Sequence, residues 1–220
     1  YPGHAIMAEE SIQETAESDD LWIVDPLDGT NNFAHHIPHF AVSIGYYRKG
    51  KAECGVIVNP ITGDWYLTVS GQGAWFQNGS IQELRCHVSA TDQLSESMIA
   101  IGFYYDRGAM MEATLDAVQD FFRKNIHGVR RFGTASLDLG MLGRGLFESY
   151  FEFQLSPWDH AAGRLFVEEA GGKVTDCEGN LLPIYRKSSI LASNGLLHDA
   201  SLAIAESHWQ AFLNRLRDEA

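Results

Sequence analysis

The sequence predicts a layered α/β protein built on a mixed β-sheet. Between Phe40 and Gln77, apolar stretches alternate with glycine-containing turns, a pattern typical of an antiparallel meander. From Met110 onward the apolar spacing changes to that of a helix, and short strands then alternate with helices. Because no repeat, low-complexity tract or linker interrupts this order, we expect one unit of packed layers.

Two short strands near the start of the sequence each lead into acidic residues. The apolar stretch from Gly3 runs into Glu9 and Glu10. The apolar run 21–24 is closed by Asp25 and a proline, the pattern of a buried strand that ends in a turn. We therefore expect the chemistry to lie in the loop after the second strand.

The second half of the sequence predicts alternating helices and strands. Helices are assigned where apolar residues recur at helical spacing, and strands where short apolar runs are bounded by turn residues. The predicted elements are helices over 110–122, 135–142, 159–170 and 200–216, and strands over 149–153, 173–175 and 189–192. The single unit over 1–220 then divides into a meander half, about 1–125, and an α/β half, about 126–220.

Charge and composition exclude several classes of function. The formal net charge of −13, from 29 acidic and 16 basic residues, argues against a nucleic-acid partner. The three cysteines lie far apart in the sequence and predict neither a disulfide framework nor a zinc site. No apolar run approaches the roughly 18 residues of a membrane span, and no targeting segment is present. We expect a cytoplasmic protein without a membrane partner.

The most informative motif follows the second strand, where two carboxylates come in quick succession. Asp25 and Asp28 stand three residues apart across a rigid proline, so their side chains and the Leu27 carbonyl can converge on one point. Such hard oxygen ligands suit Mg²⁺. Gly29 permits an unusual backbone angle, and a helix that starts near Thr30 would direct free N–H groups at a phosphate.

Each acidic motif also has a plain structural explanation. Asp25-Pro and Asp28-Gly are common turn pairs, and Asp159, at the start of a predicted helix, is a typical N-cap. Together with Glu9, however, these carboxylates come from three distant segments and would repel one another unless cations offset their charge. Two or three Mg²⁺ ions would do so, and a metal pair can stabilise both the attacking and the leaving oxygen of a phosphoryl transfer.

These segments resemble the signature of the inositol monophosphatase family of magnesium-dependent, lithium-sensitive phosphatases. The family's Asp-Pro-hydrophobic-Asp-Gly-Thr pattern, with Asn-Phe after one variable residue, is met by 25–33, and its Trp-Asp-x-Ala-x-Gly segment by 158–163. The resemblance extends from Gly3 to about Ala205 and implies an α-β-α-β-α sandwich. Two departures are Ala8, where the family usually has glycine, and the absence from this sequence of the family's two N-terminal helices.

The resemblance also implies roles for individual residues. The metal ligands would be acidic side chains and one carbonyl, from Glu9, Asp25, Leu27, Asp28 and Asp159. Thr30 would orient the nucleophilic water and Glu10 would lie near the ion that activates it, so the implied catalytic residues are Glu10, Asp28 and Thr30. The implied substrate contacts are Gly29 and Thr30 on the phosphate, and Ala135, Glu152 and Asp159 on the alcohol.

The resemblance favours one activity and leaves others open. The first hypothesis is Mg²⁺-dependent hydrolysis of myo-inositol monophosphate or a similar small monoester by direct attack of water, in a homodimer. The same metal motifs would also serve histidinol phosphate, fructose 1,6-bisphosphate, a 3′-phosphoadenosine nucleotide or NADP. A third hypothesis, from another class, is a binding or regulatory protein that keeps the fold without turnover.

Three arginines are ambiguous in the sequence. Arg107 follows a predicted loop near the substrate, where a phosphate contact, a subunit contact and an ordinary helix start are all compatible with the pattern. Arg130 and Arg131 are adjacent but stand alone in an acidic protein, which favours salt bridges over a basic binding patch.

Overall fold

The computed structural model describes residues 3–10 and 18–218, which form two sheets and five α-helices. The strands are β1 (Ala5–Ala8), β2 (Asp20–Asp28), β3 (Ala41–Arg48), β4 (Lys51–Asn59), β5 (Asp64–Val69), β6 (Gly73–Gln77), β7 (Leu84–Arg85), β8 (Met98–Ile101), β9 (Gly128–Arg130), β10 (Ser149–Leu155), β11 (Lys173–Thr175) and β12 (Ser188–Ser193). The helices are α1 (Thr30–Ala34), α2 (Ala109–Arg123), α3 (Ala135–Gly143), α4 (Pro157–Glu169) and α5 (His198–Asp218). Residues 1–2, 11–17 and 219–220 lie outside the described residues.

The strands form two sheets, which confirms the two β layers of the implied α-β-α-β-α sandwich. The first sheet has the order β1-β2-β3-β4-β5-β6-β7, in which β1 pairs parallel with β2 and every later pair is antiparallel. The predicted meander is thus confirmed. The second sheet has the order β11-β12-β10-β8-β9, with β8 parallel to both β9 and β10. Each sheet is mixed.

Helices separate the two sheets and cover one of them. Helix α4 packs on β3, β4 and β5 of the first sheet and also contacts β11 and β12 of the second, with α3 beside it. Helices α2 and α5 pack on each other and on the other face of the second sheet, around an apolar cluster that includes Phe121, Phe151 and Phe212. The described residues therefore form four layers of the implied sandwich. No described helix has the length and apolar content needed to cross a bilayer.

Two glycines let α4 lie unusually close to the first sheet. A Cβ built on Gly45 would come 3.1 Å from the Cβ of Ala161, and one built on Gly55 would come 3.0 Å from the Cα of Ala162. The helix backbone therefore rests almost directly on the pleated surface of β3 and β4. Main-chain atoms of α4 lie within 3.2 Å of both built positions, and the backbone of a packed helix cannot move aside as a flexible side chain could to admit a methyl group.

We expect Gly55→Ala to destabilise the fold by about 1–3 kcal/mol, because the added methyl overpacks this contact. The melting temperature should fall by about 5 °C in a thermal scan. Gly79 is the matched control, since nothing lies within 4 Å of a Cβ built there. Equal melting temperatures for Gly55→Ala and Gly79→Ala would contradict the close contact.

Candidate active site

A β-bulge brings the two aspartates of β2 onto one buried face. In the pairing of β2 with β3, Asp25 lies opposite Ser43 and Asp28 opposite Ala41, so three steps on β2 match two on β3. In a regular strand, residues three apart point to opposite faces. The extra residue of the bulge reverses this, and both carboxylates are buried. The bulge surrounds Pro26, which has no N–H for the ladder.

A main-chain N–H group fixes each of the two β2 carboxylates of the candidate site. The N–H of Leu27 donates to Asp25 Oδ1 over 2.9 Å, and the N–H of Ser136, in the first turn of α3, donates to Asp28 Oδ2 over 2.7 Å. These bonds restrict the rotation of both side chains and so define where the remaining oxygens point. Helix α3 is thereby tied to the strand that carries the aspartates.

Asp159 reaches the site from the first turn of α4. Ser156 is the N-cap residue, Pro157 occupies the first helical turn, and the N–H of Ser156 donates to Asp159 Oδ2 over 2.6 Å in a capping box. Asp159 is therefore not the N-cap residue that the sequence suggested, because Ser156 holds that position and Asp159 completes the capping box from the third helical position. This contact does not compete with a role in the site, because the capped turn also faces the two aspartates of β2.

Asp25, Asp28 and Asp159 form a three-carboxylate cluster, with one oxygen from each lying within 4.8 Å of the others. Burial, followed by the neighbouring Asp28 charge, raises the pKa of Asp25 to about 8 and that of Asp159 to about 9. Burial also raises the pKa of Asp28 to about 6. Such a cluster is costly unless a cation neutralises it, and hard oxygen donors at this spacing fit Mg²⁺.

The cluster lies in a cleft with a cavity volume of about 210 Å³ that both sheets help to line. All the residues implied by the resemblance line this cleft except Glu10: Glu9, Asp25, Leu27, Asp28, Gly29, Thr30, Ala135, Glu152 and Asp159. Glu10 is exposed and lies outside the cleft lining. Gly29 has a φ of 89°, which matches the unusual backbone angle expected for it, and the Thr30 hydroxyl donates to the Leu27 carbonyl over 3.1 Å. The short helix α1 begins at Thr30, as expected.

Several cleft residues were not identified from the sequence. Asp138 and Tyr150 are buried at the cleft, and the cations Arg131 and Lys187 are exposed along it. Neither Arg130 nor Arg131 forms an ion pair within the described part of the chain, so the expected salt bridges are not found there. The Lys187 ammonium donates a hydrogen bond to the Tyr104 hydroxyl over 2.9 Å.

Arg107 makes contacts of the kind expected at an ordinary helix start. Its guanidinium donates to the main-chain carbonyls of Tyr104 and Asp106, just before α2 begins. Arg107 is not among the residues that line the cleft. The segment therefore serves as the start of a helix in the described structure.

Known proteins of similar sequence and structure share this architecture. The family model described as the inositol monophosphatase family matches residues 1–210. The inositol-1-monophosphatase of Caulobacter vibrioides is 40% identical over 199 residues, which are 90% of this chain and 76% of that protein. The Nus factor SuhB of Pseudomonas aeruginosa is 38% identical over 221 residues, covering 98% of this chain and 79% of the relative.

A solved structure of a similar protein has the same fold. The Thermotoga maritima IMPase superposes with a TM-score of 0.84 at 33% sequence identity, over 96% of this chain and 78% of that one. The chain therefore belongs to the inositol monophosphatase family of phosphoric monoester hydrolases.

Proposed function

We propose that the protein hydrolyses a small phosphate monoester, with myo-inositol monophosphate as the first candidate, and that two or three Mg²⁺ ions are its cofactors. The observation that carries this proposal is the buried cluster of Asp25, Asp28 and Asp159 at the cleft. Three buried carboxylates with raised pKa values would destabilise a protein that bound no cation there. The membership of the chain in a phosphatase family supplies the reaction class.

The ligand set extends from the cluster to its neighbours. Asp25, Asp28 and Asp159 would hold the metal with the Leu27 carbonyl and Glu9, both of which line the same cleft. Bound Mg²⁺ supplies a Lewis acid that polarises the phosphoryl group and lowers the pKa of a coordinated water. Glu10, although outside the cleft lining, retains the role that the resemblance implies for it near this water.

The chain's own groups would orient the reactants. The Thr30 hydroxyl, held against the Leu27 carbonyl, is placed to orient the nucleophilic water, and Gly29 allows the backbone to approach the phosphate closely. Ala135, Glu152 and Asp159 would face the alcohol part of the substrate from α3, β10 and α4. The proposed step is direct attack by water, without a phosphoenzyme intermediate.

The proposed assembly and location follow the resemblance. The protein would act as a cytoplasmic homodimer in which each chain is one catalytic unit, since residues from both sheets line each cleft. Its strong negative charge disfavours nucleic acid as a partner. A regulatory role remains the alternative from another class, and the similarity to a protein named as a Nus factor keeps it open.

The test is phosphate release from a panel of esters, with Mg²⁺ and with a chelator. The panel contains myo-inositol 1-phosphate, histidinol phosphate, fructose 1,6-bisphosphate, 3′-phosphoadenosine 5′-phosphate and NADP. We expect Mg²⁺-dependent release that is fastest with the inositol ester. Faster release from another ester would reassign the substrate, and no release from any would favour the regulatory alternative.

A further inference from the structure

Tyr105 is an exposed aromatic side chain in the cleft that the proposed function does not use. It lies in the irregular segment between β8 and α2, lines the cleft, and has a relative exposure of 68%. No other Phe, Tyr or Trp side chain within 3–10 and 18–218 is as exposed. Because exposing an aromatic ring to water is unfavourable, a ring left open inside a cleft is best explained by a ligand that covers it.

The hydroxyl end of Tyr105 lies toward the carboxylates of the cleft. Burial, followed by the charges of Glu9 and Asp159 and, more weakly, of Glu152, raises the pKa of Tyr105. Charges act effectively only over short distances, so the hydroxyl lies near two proposed metal ligands and near the residue implied to face the alcohol. The ring of Tyr105 is therefore placed beside the alcohol part of an ester whose phosphate is bound at the metal site.

Tyr104 supports the ring of Tyr105 from the side. The two rings form a tilted pair, with centroids 5.8 Å apart and an interplanar angle of 63°. The Lys187 ammonium, which bonds to the Tyr104 hydroxyl, also lies 5.1 Å from the centre of the Tyr104 ring. Since Lys187 belongs to the segment before β12, this contact joins two irregular segments at the cleft. Tyr104 is thereby restrained, and it in turn limits the positions that Tyr105 can take.

The open ring of Tyr105 indicates which part of a ligand fits against it. An aromatic face is apolar and carries a partial negative charge, so it favours a flat surface of C–H groups and disfavours an anion. The ring of a cyclic alcohol presents such a surface, with most of its hydroxyl groups around the edge. An acyclic alcohol has no fixed flat surface, and ordering it against the aromatic face would cost conformational entropy.

We propose that Tyr105 is a specificity-determining residue whose aromatic face packs on the ring of a cyclic alcohol, and that Tyr104, held by Lys187, positions it. This inference rests on the proposed function and assigns a further residue to it. The contact is made by the ring of Tyr105 and not by its hydroxyl. Esters of acyclic alcohols bind at the same metal site without gaining from this contact.

The experiment compares kcat/KM for myo-inositol 1-phosphate and for glycerol 2-phosphate, an acyclic ester. Tyr105→Ala should lower the value for the inositol ester by about 3- to 15-fold, the range expected when one aromatic contact is lost. The value for glycerol 2-phosphate should change by less than about twofold, because an acyclic alcohol makes no flat contact. Tyr105→Phe keeps the ring and should leave both values within about twofold of the wild type. Tyr104→Phe, which loses the bond from Lys187, should raise KM for the inositol ester by about two- to fourfold and leave kcat unchanged.

Two controls distinguish a ligand contact from a structural role. Phe122 is an exposed aromatic residue of α2 outside the cleft lining, so Phe122→Ala should leave the ratio of the two esters unchanged. Tyr105→Ala should melt within about 2 °C of the wild type, because little of the ring is buried by the protein. Equal losses on both esters, or a loss in Tyr105→Phe as large as in Tyr105→Ala, would overturn the inference and leave the proposed function intact. Absence of wild-type turnover on both esters would overturn the proposed function and this inference with it.

Discussion

We expect Asp28→Asn to lower kcat in saturating Mg²⁺ by more than about 100-fold. Groups that merely support a metal ligand typically contribute about 10- to 100-fold, and a direct ligand should exceed that range. An amide can still accept the N–H of Ser136, so the fold around α3 should be retained. Steady-state phosphate release, with magnesium varied, measures the effect.

The same substitution should stabilise the metal-free protein. Asp28 is buried, and its raised pKa shows that the folded state disfavours the ionised carboxylate. Replacing it by a neutral amide removes that penalty, and we expect the free energy of unfolding at pH 8 to rise by about 1–3 kcal/mol.

The control for Asp28→Asn is Asp116→Asn, which changes an exposed carboxyl on α2 and should alter neither activity nor stability. An active Asp28→Asn enzyme would remove Asp28 from the ligand set. A variant that loses both activity and metal-free stability would instead assign Asp28 a structural role.

The second large effect is a pH-dependent response to magnesium. The pKa values of Asp25 and Asp159 rise from a usual value of 3.8 to about 8 and about 9, so the folded, metal-free protein holds protons that the unfolded chain releases. Their contribution to stability is complete below about pH 4 and is lost as the pH rises through these folded values. Metal binding displaces the same protons, so Mg²⁺ should stabilise the protein most at high pH.

Thermal scans with Mg²⁺ and with chelator, at pH 5 and pH 9, measure this response. At a magnesium concentration about 100 times the dissociation constant, we expect the melting temperature to rise by about 5–10 °C at pH 9. At pH 5 the rise should be under about 2 °C. In Asp28→Asn the rise at pH 9 should largely disappear. A response independent of pH would show that the cluster carries no displaceable protons.

The first half of the fold was accessible from the sequence because its signals are local. The alternation of apolar residues and turns between Phe40 and Gln77 gives β3 to β6 directly. Strand β8, over 98–101, was not predicted, since four apolar residues carry no period that distinguishes a strand from other buried segments. The division into two sheets was implied by the family resemblance and not by the local pattern, because strand pairing depends on contacts distant in sequence.

The same distinction between local and distant signals explains which site residues could be predicted from the sequence. Asp25, Asp28 and Asp159 could be identified because each sits in a motif whose spacing has a chemical meaning. Asp138 could not, since it lies within an almost entirely buried helix and reads as an isolated polar residue among leucines and glycines. Lys187 lies in an irregular segment before β12, and only the folded chain places it at the cleft.

The close contact of α4 with Gly45 and Gly55 would affect the metal selectivity of the proposed site. Asp159 lies only two residues before Ala161 and three before Ala162 in the same helix. A shift of α4 away from Gly45 and Gly55 would therefore move Asp159 by almost the same distance. Metal–oxygen distances tolerate errors of only about 0.2 Å. Two positions with no side chain, on β3 and β4, would thus help to set the width of the proposed cation site. Mg²⁺, which demands shorter bonds than Ca²⁺, would be the first of the two ions to be lost if that width increased.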